Sequence, residues 1–108
     1  EWTSMVDYLG GPEIAGIKLK STLTAPDEHP RWLSPNRNAT NESGFNGLPT
    51  GAIYSSFSGF GKFARWWTST PTIQDYAFSR GVEYLSNEVL EAESNVLQGF
   101  GVRCIKDK

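Results

Sequence analysis

The 108-residue chain contains one cysteine and one histidine. A single cysteine cannot form an internal disulfide, and this leaves the redox compartment open. One cysteine and one histidine also exclude a zinc site built from this chain alone. Hydrolytic catalysis would depend on His29, which lies in the acidic, proline-flanked stretch APDEHPRW. We expect a solvated loop histidine there instead of a catalytic base.

Excess charge of one sign and long hydrophobic runs are also missing. Ten basic and twelve acidic residues give a net charge of -2, which is too small to attract nucleic acid or an anionic membrane. No apolar run approaches the roughly 20 residues that a membrane-spanning helix needs. We therefore expect no nucleic-acid partner and no transmembrane segment in this fragment. Its start at Glu1 instead of methionine suggests a piece cropped from a longer protein.

The hydrophobic content is sufficient for one small core. Of all residues 38% are hydrophobic and 13% aromatic, which at this length favours a single domain over residues 1–108. A helix is predicted first, because apolar residues recur at helical spacing from Trp2 to Leu9 and the sequence GGP then ends the helix. A second short helix is expected from Pro12 to about Lys20.

The middle of the chain, residues 21–58, predicts one long loop. It is rich in Pro, Gly, Asn, Ser and Thr, and no periodicity persists through it. Disordered segments rarely carry so many apolar side chains, so we interpret the loop as ordered. The expected anchors of the loop are Trp32, Phe45, Leu48, Ile53, Tyr54 and Phe57.

Four short runs in the last third predict an antiparallel sheet: residues 63–69, 76–84, 89–93 and 100–106. In the last run Cys104 shares one face of the strand with Phe100 and Val102, so we expect its thiol to be buried as ordinary packing. Two helices followed by strands predict an α+β domain.

Several stretches resemble the Fibrobacter succinogenes major paralogous domain, a bacterial family usually found in exported and surface proteins. They are EWTSMVDYLGG, AGIKLK, NATNESGFNGLPTG, ARWWTST and GFGVRCIKD, and the resemblance covers nearly all 108 residues. It implies a C-type-lectin-like fold with two N-terminal helices, a long loop region and a C-terminal antiparallel sheet. It also implies an extracellular or cell-surface location in a bacterium.

The sequence departs from that family pattern in two places. Family members carry a strand and a Trp-x-Val-Pro-Ser/Thr segment before the Glu-Trp pair, and neither is present here. The first strand pairs with the last in a C-type-lectin-like fold, so we expect this domain to lack its first strand and to be less stable than the complete one. The second departure is a set of four glutamates in residues 83–95, a segment that is often rich in Tyr, Asn and Arg in the family.

Metal and enzymatic chemistry are not favoured. Five residues in the loop supply oxygens, but the EF-hand pattern and the ligand triplets of sugar-binding C-type lectins do not occur. We expect these side chains to satisfy their own backbone, with no metal and no cofactor. The lectin-like fold also includes the formylglycine-generating enzymes, whose cysteine lies at a different location, so we expect no enzyme activity. The five oxygen-bearing residues are Asn36, Asn38, Asn41, Glu42 and Asn46.

Candidate binding residues lie in the predicted strands and the turns between them, which the resemblance identifies with the exposed face on which lectin-like folds vary their ligand contacts. Adjacent residues of a strand face opposite ways, so one ring of the Trp66-Trp67 pair should enter the core and the other should face the opposite surface. An exposed ring could stack on a sugar or form a protein-binding hot spot. The alternative is that both rings pack beneath the loop and neither contacts a ligand. The candidate ligand-binding set is Trp67, Tyr76, Arg80, Tyr84, Asn87, Glu91 and Asn95.

The expected function is a non-enzymatic binding or adhesion module of a bacterial surface or secreted protein, with a glycan or a protein as its ligand. A structural spacer domain without a ligand is one alternative. A variable binding protein diversified by retroelements is another, because such lectin-like domains share a WSST-like strand and this chain has Trp67-Thr68-Ser69-Thr70.

Overall fold

The structure, a computed structural model, describes residues 1–24, 26–28 and 30–104. Two short helices and antiparallel strands make it an α+β domain, as predicted. In the described part of the chain, neither helix has the length and hydropathy of a membrane span. The elements are α1 (Trp2–Tyr8), α2 (Ala15–Leu19), β1 (Ala52–Ile53), β2 (Phe57–Ser58), β3 (Phe63–Pro71), β4 (Tyr76–Glu83) and β5 (Leu90–Asn95).

The predicted first helix is confirmed. Val6 and the residue that follows the helix, Leu9, are buried, and the amide of Gly11 donates to the Val6 carbonyl at 2.9 Å. Gly11 has φ +99°, a backbone conformation that L side chains rarely adopt. Helix α2 begins later than predicted, because residues 12–14 form turns before it. It ends where Lys20 becomes extended.

Strands β3, β4 and β5 form one antiparallel sheet in that order. They match the three predicted runs before the last one. One face of the sheet carries Ala64, Trp66 and Val82, which are all buried. These side chains form a single core with Val6, Leu9, Ala15, Leu19, Trp32 and Val89.

The predicted last strand is wrong over its described part. Gly101 makes an isolated bridge to Trp66, and residues 102–104 join no strand. Residues 105 and 106 lie outside the described part of the chain. Alternation buries one face of a strand only where another element covers that face, and Val102 is 69% exposed. Cys104 is exposed too, so the prediction of a buried thiol is also wrong.

An exposed Cys104 should react readily in the folded protein. We expect a disulfide reagent such as dithionitrobenzoate to modify the native chain completely, at a rate within about tenfold of the urea-unfolded chain, because access limits the reaction at a buried thiol. The chain has one cysteine, so the absorbance change reports this residue alone. A native protein that reacts only as it unfolds would contradict the exposed position.

The long loop is ordered, but only some of the predicted anchors hold it. The side chain of Trp32 is fully buried, and its indole Nε1 donates to the Gly47 carbonyl at 3.1 Å. Phe45 packs against the core. Tyr54 is 41% exposed, but its ring centroid lies 6.5 Å from that of Phe63 and 5.9 Å from that of Phe100. The predicted anchors Ile53 and Phe57 are 50% and 57% exposed, because β1 and β2 form a two-stranded ribbon at the surface. Leu48 is half-buried.

Asparagine side chains shape the middle of the loop. Asn36, Asn38, Asn41 and Asn46 all have positive φ, which asparagine tolerates better than most residues. The Oδ1 of Asn41 accepts the amide of Asn46 at 2.8 Å, and the Nδ2 of Asn36 donates to the Ser21 carbonyl at 3.0 Å. The prediction that these side chains satisfy their own backbone is confirmed at Asn41, whereas Asn36 donates to a carbonyl 15 positions away.

Lys20 joins the loop to the sheet, which the sequence did not reveal. Its side chain is fully buried, and Nζ donates to the carbonyls of Arg37 (3.0 Å), Glu83 (3.0 Å) and Ser86 (2.9 Å). The ammonium also lies 5.8 Å from the ring centroid of Trp32. Burial, together with the smaller effect of the Arg37 charge, lowers the pKa of Lys20 from 10.5 to about 8, although three carbonyl acceptors favour the ammonium.

The low pKa of Lys20 predicts that stability rises with pH. Between about pH 8 and 10.5 the unfolded chain retains a proton that the folded protein has released, so the free energy of unfolding increases by at most about 1.4 kcal/mol per pH unit. Urea melts of the wild type and of Lys20→Met at each pH isolate this residue, because all other titrations are shared. A difference that stays flat or falls above pH 8 would contradict the lowered pKa.

Candidate binding groove

A groove of about 670 Å³ opens between the start of α1, the edge of β3 and residues 102–104. Strand β3 supplies four consecutive residues to its wall, since the strand is irregular between Trp67 and Pro71. The volume is within the usual range for small-ligand sites. The groove is lined by Glu1, Trp2, Thr3, Met5, Phe45, Trp67, Thr68, Ser69, Thr70, Phe78, Arg80, Glu91, Val102, Arg103 and Cys104.

Aromatic rings at the groove rest directly on the core. Trp2 stacks on Trp66 with ring centroids 5.7 Å apart and an interplanar angle of 27°. Phe45 meets both rings edge to face, at 5.6 Å from Trp2 and 5.2 Å from Trp66. Trp66 is buried, while Trp2 and Phe45 are half-buried and line the groove. These contacts fix the orientation of the rings before any ligand arrives.

Trp66 and Trp67 divide as the alternation of a strand predicts. Trp66 enters the core, and Trp67 is half-buried with its ring centroid 4.5 Å from that of Phe100. Trp67 also contributes to the groove wall. Its partly exposed ring is therefore held by a neighbour and is still accessible.

Arg80 and Glu91 form an ion pair within the groove lining. The two residues are opposite each other in the register of β4 and β5. The Nη2 of Arg80 lies 2.7 Å from Oε2 of Glu91 and donates to the Thr3 hydroxyl at 2.9 Å. The Arg80 side chain is 8% exposed and that of Glu91 47%. Within the described residues, the buried Nε of Arg80 has no hydrogen-bond partner.

This ion pair is poorly explained by stability alone. A buried guanidinium loses hydration, and a single carboxylate with one hydroxyl offsets that loss only in part. The arrangement does hold a planar set of N–H donors beside an exposed carboxylate at the groove. Such a pair can form hydrogen bonds with a ligand at little cost in side-chain conformational entropy, because the two side chains are already held in place.

Arg103 brings a second positive charge to the groove. Its guanidinium carbon lies 3.9 Å from the ring centroid of Phe45, which is cation–π geometry. The charged side chains that line the groove are Arg80, Arg103, Glu1 and Glu91. Two positive and two negative charges balance, so the described lining has no net preference for an anion or a cation.

The candidate set from the sequence does not form one surface. Trp67, Arg80 and Glu91 line the groove. Tyr84 and Asn87 follow the other end of β4, so the structure separates these two residues from the groove. The ring of Tyr84 packs against the core, and the Oδ1 of Asn87 accepts Nδ2 of Asn38 at 3.2 Å.

Two further candidates, Tyr76 and Asn95, also lie outside the groove. They are opposite each other in the register of β4 and β5. The Oδ1 of Asn95 accepts the Leu97 amide at 2.9 Å.

Sequence reasoning missed several residues that line the groove. The alternation of β4 could have identified Phe78, because it lies between Tyr76 and Arg80 on the same face. No sequence signal placed Thr3, Phe45 and Arg103 there, since their segments meet only in the folded chain. The missed set also includes Met5, Thr68 and Val102.

Reactive groups at the groove are few. Cys104 lines it, but no hydrogen bond joins its Sγ to another described residue. Within residues 1–24, 26–28 and 30–104, no three His, Cys, Asp or Glu side chains cluster as metal ligands would. The prediction of a solvated loop histidine concerns His29, which lies outside the described residues.

These features define a small α+β domain with a ligand-sized aromatic and polar groove. The family model described as Fibrobacter succinogenes major domain matches residues 1–106, and the chain belongs to that family. No curated protein and no solved structure matches the chain.

Proposed function

We propose that this chain is a non-enzymatic binding module that takes a glycan in the groove. The observation that carries the proposal is the juxtaposition of preset aromatic rings, Trp2 and Phe45, with the Arg80–Glu91 pair. Sugar rings have apolar C–H faces that stack on aromatic rings, and their hydroxyls both donate and accept hydrogen bonds. A fixed ring beside a paired donor and acceptor matches both properties.

The electrostatics of the groove favour a glycan over a strongly charged ligand. The described charged side chains that line it balance, so they supply no net attraction for a phosphate or a polycation. The hydroxyls of Thr3, Ser69 and Thr70 add neutral hydrogen-bonding partners. We propose a protein ligand only as the second candidate, because the exposed Arg103 and the half-buried tryptophans are residue types enriched at protein interfaces.

The C-type-lectin-like fold and the bacterial surface location are part of the same proposal. The order of two helices, a long loop and an antiparallel sheet supports a lectin-like fold, and the family resemblance supports an exported protein of a bacterium. A retroelement-diversified variable protein is compatible with this, since residues Trp67–Thr70 line the groove.

The test is a glycan array combined with a pull-down from bacterial and host extracts. We expect the wild-type chain to bind a set of glycans on the array, and Arg80→Met to weaken that binding by tenfold or more, since hydrogen bonds to charged groups are among the stronger ones. Glu91→Gln should also weaken binding, and because it removes the counter-charge of the buried Arg80, a thermal melt checks that this variant is folded. Arg37→Met is the matched control, as Arg37 is exposed and outside the groove.

Two results would overturn the proposal. If the wild type binds no glycan on the array and captures no protein in the pull-down, the spacer domain is favoured. Equal binding by wild type and Arg80→Met, with both proteins shown to be folded by circular dichroism, would place the binding site elsewhere. Binding confined to the pull-down would favour the protein ligand.

A further inference from the structure

We infer that the glycan is a neutral linear oligosaccharide that continues out of the groove along β4 and β5 as far as Tyr76. The inference rests on the proposed function and specifies its ligand. It assigns a role to two candidates that the groove leaves out, Tyr76 and Asn95.

The strand register places three rows of side chains on one face of the sheet. Arg80 is opposite Glu91, Phe78 opposite Glu93, and Tyr76 opposite Asn95. Alternate residues of a strand share a face, so these six side chains form a continuous path. The first row and Phe78 line the groove. The path therefore leaves the groove through the second row and ends at the third.

Exposure increases along the β4 side of this path, whereas on β5 Glu91 and Glu93 are exposed and Asn95 is half-buried. The Arg80 side chain is 8% exposed at the start, whereas Tyr76 is 37% exposed at the end. Glu93, in the middle row, is also exposed. The Tyr76 ring makes no ring contact or side-chain hydrogen bond with any described residue, which makes it an available stacking surface.

Distance decides the length of the ligand. Successive rows are two positions apart along the strand, so the third row is four positions from the first. At the rise of an extended strand this distance is roughly 13 Å. One sugar ring is about the size of one aromatic side chain, so a ring beside Arg80 cannot also reach Tyr76. A linear chain of three or more sugars can contact all three rows.

Charge decides the chemical class. Glu91 and Glu93 lie along the path, and both carboxylates are exposed. The described residues of the second and third rows include no positive charge. An oligosaccharide of uronic or sialic acids would therefore be repelled by these carboxylates over most of its length. The hydroxyls of a neutral chain would instead donate hydrogen bonds to the carboxylates.

The experiment titrates linear oligosaccharides of one to six units into the wild-type chain by calorimetry. The probes are the β-1,4-linked series of glucose, N-acetylglucosamine, xylose and mannose, with oligogalacturonate as the acidic comparison. For a series that binds, we expect affinity to rise at least tenfold from one unit to four and then to level off. Oligogalacturonate should bind at least tenfold more weakly than the neutral series.

The variant Tyr76→Ala separates the extension from the groove. It should weaken binding of the tetramer about three- to tenfold and leave binding of the dimer unchanged, as expected for loss of one stacking contact. Tyr8→Ala is the control, since Tyr8 is 89% exposed at the far end of α1. A thermal melt of each variant checks that it is folded.

The outcomes distinguish the two proposals. Affinity that does not depend on chain length, or a tetramer affinity unchanged by Tyr76→Ala, would overturn the extended path and leave a groove that binds one sugar. Tighter binding of oligogalacturonate would overturn the neutral class. If none of the oligosaccharide series binds in calorimetry and no glycan binds on the array, the proposed function itself is overturned.

Discussion

Replacing Lys20 with methionine is expected to lower the free energy of unfolding by about 3 kcal/mol or more. Methionine fills the same space but donates no hydrogen bond, so three partly buried carbonyls lose their partner, each at up to about 1–3 kcal/mol. Removal of the buried charge recovers part of its desolvation free energy, which keeps the net loss below the sum. For a domain of this length the midpoint of thermal unfolding should fall by on the order of 15 °C.

Lys62→Met is the control for this prediction. Lys62 is exposed, and surface substitutions of this kind usually change stability by no more than about 0.5 kcal/mol. Circular dichroism melts of the three proteins provide the comparison. If Lys20→Met melts together with Lys62→Met, the three carbonyls do not depend on the ammonium and the contact described here is not a source of stability.

Replacing Gly16 with alanine is expected to destabilise the domain, although helix propensity alone predicts the opposite. Alanine stabilises a helix relative to glycine by about 1 kcal/mol. A Cβ at Gly16 would lie 2.4 Å from the Glu88 carbonyl oxygen and 2.7 Å from that of Asn87. Both contacts are with backbone, which cannot rotate away, so α2 must move off the turn before β5. We expect a net loss of about 3 kcal/mol, at the upper end of overpacking effects.

Gly44→Ala is the matched control, because nothing lies within 4 Å of a Cβ built there. Its positive φ of 72° still makes alanine unfavourable, by about 1 kcal/mol. Urea melts should therefore rank the proteins as wild type, Gly44→Ala and Gly16→Ala, in order of decreasing stability. A Gly16→Ala chain as stable as the wild type would mean that α2 does not pack against residues 87–88 as described.

Local patterns were sufficient for α1 and for the three strands of the larger sheet, but not for β1 and β2, which lie in the predicted loop. Helical spacing from Trp2 to Leu9 identified α1, and β-branched and aromatic runs identified β3, β4 and β5 within a few residues at each end. These elements follow from periodicity within a short window, which the sequence displays directly. The last predicted strand failed because a strand also needs a partner, and an alternating pattern around Cys104 does not say whether a partner is present.

The site could be predicted only in part, for a related reason. Arg80 and Glu91 were identified because the family resemblance places them in the region where lectin-like folds vary their ligand contacts. Trp67 was identified because adjacent residues of a strand face opposite ways. Thr3 and Arg103 come from opposite ends of the chain, and only the folded structure shows that both line the groove. Lys20 was missed because a lysine after a short helix ordinarily points into solvent.

The three hydrogen bonds of the Lys20 ammonium also affect the rates at which the domain folds and unfolds. They span 17, 63 and 66 positions of the chain, so most of the polypeptide has to be in place before the ammonium can be enclosed. We infer that the ammonium is enclosed late, after the rate-limiting barrier of folding. A substitution there should then accelerate unfolding far more than it slows refolding. The lifetime of the native state is thus set in part by one side chain that contributes little to the speed of its formation.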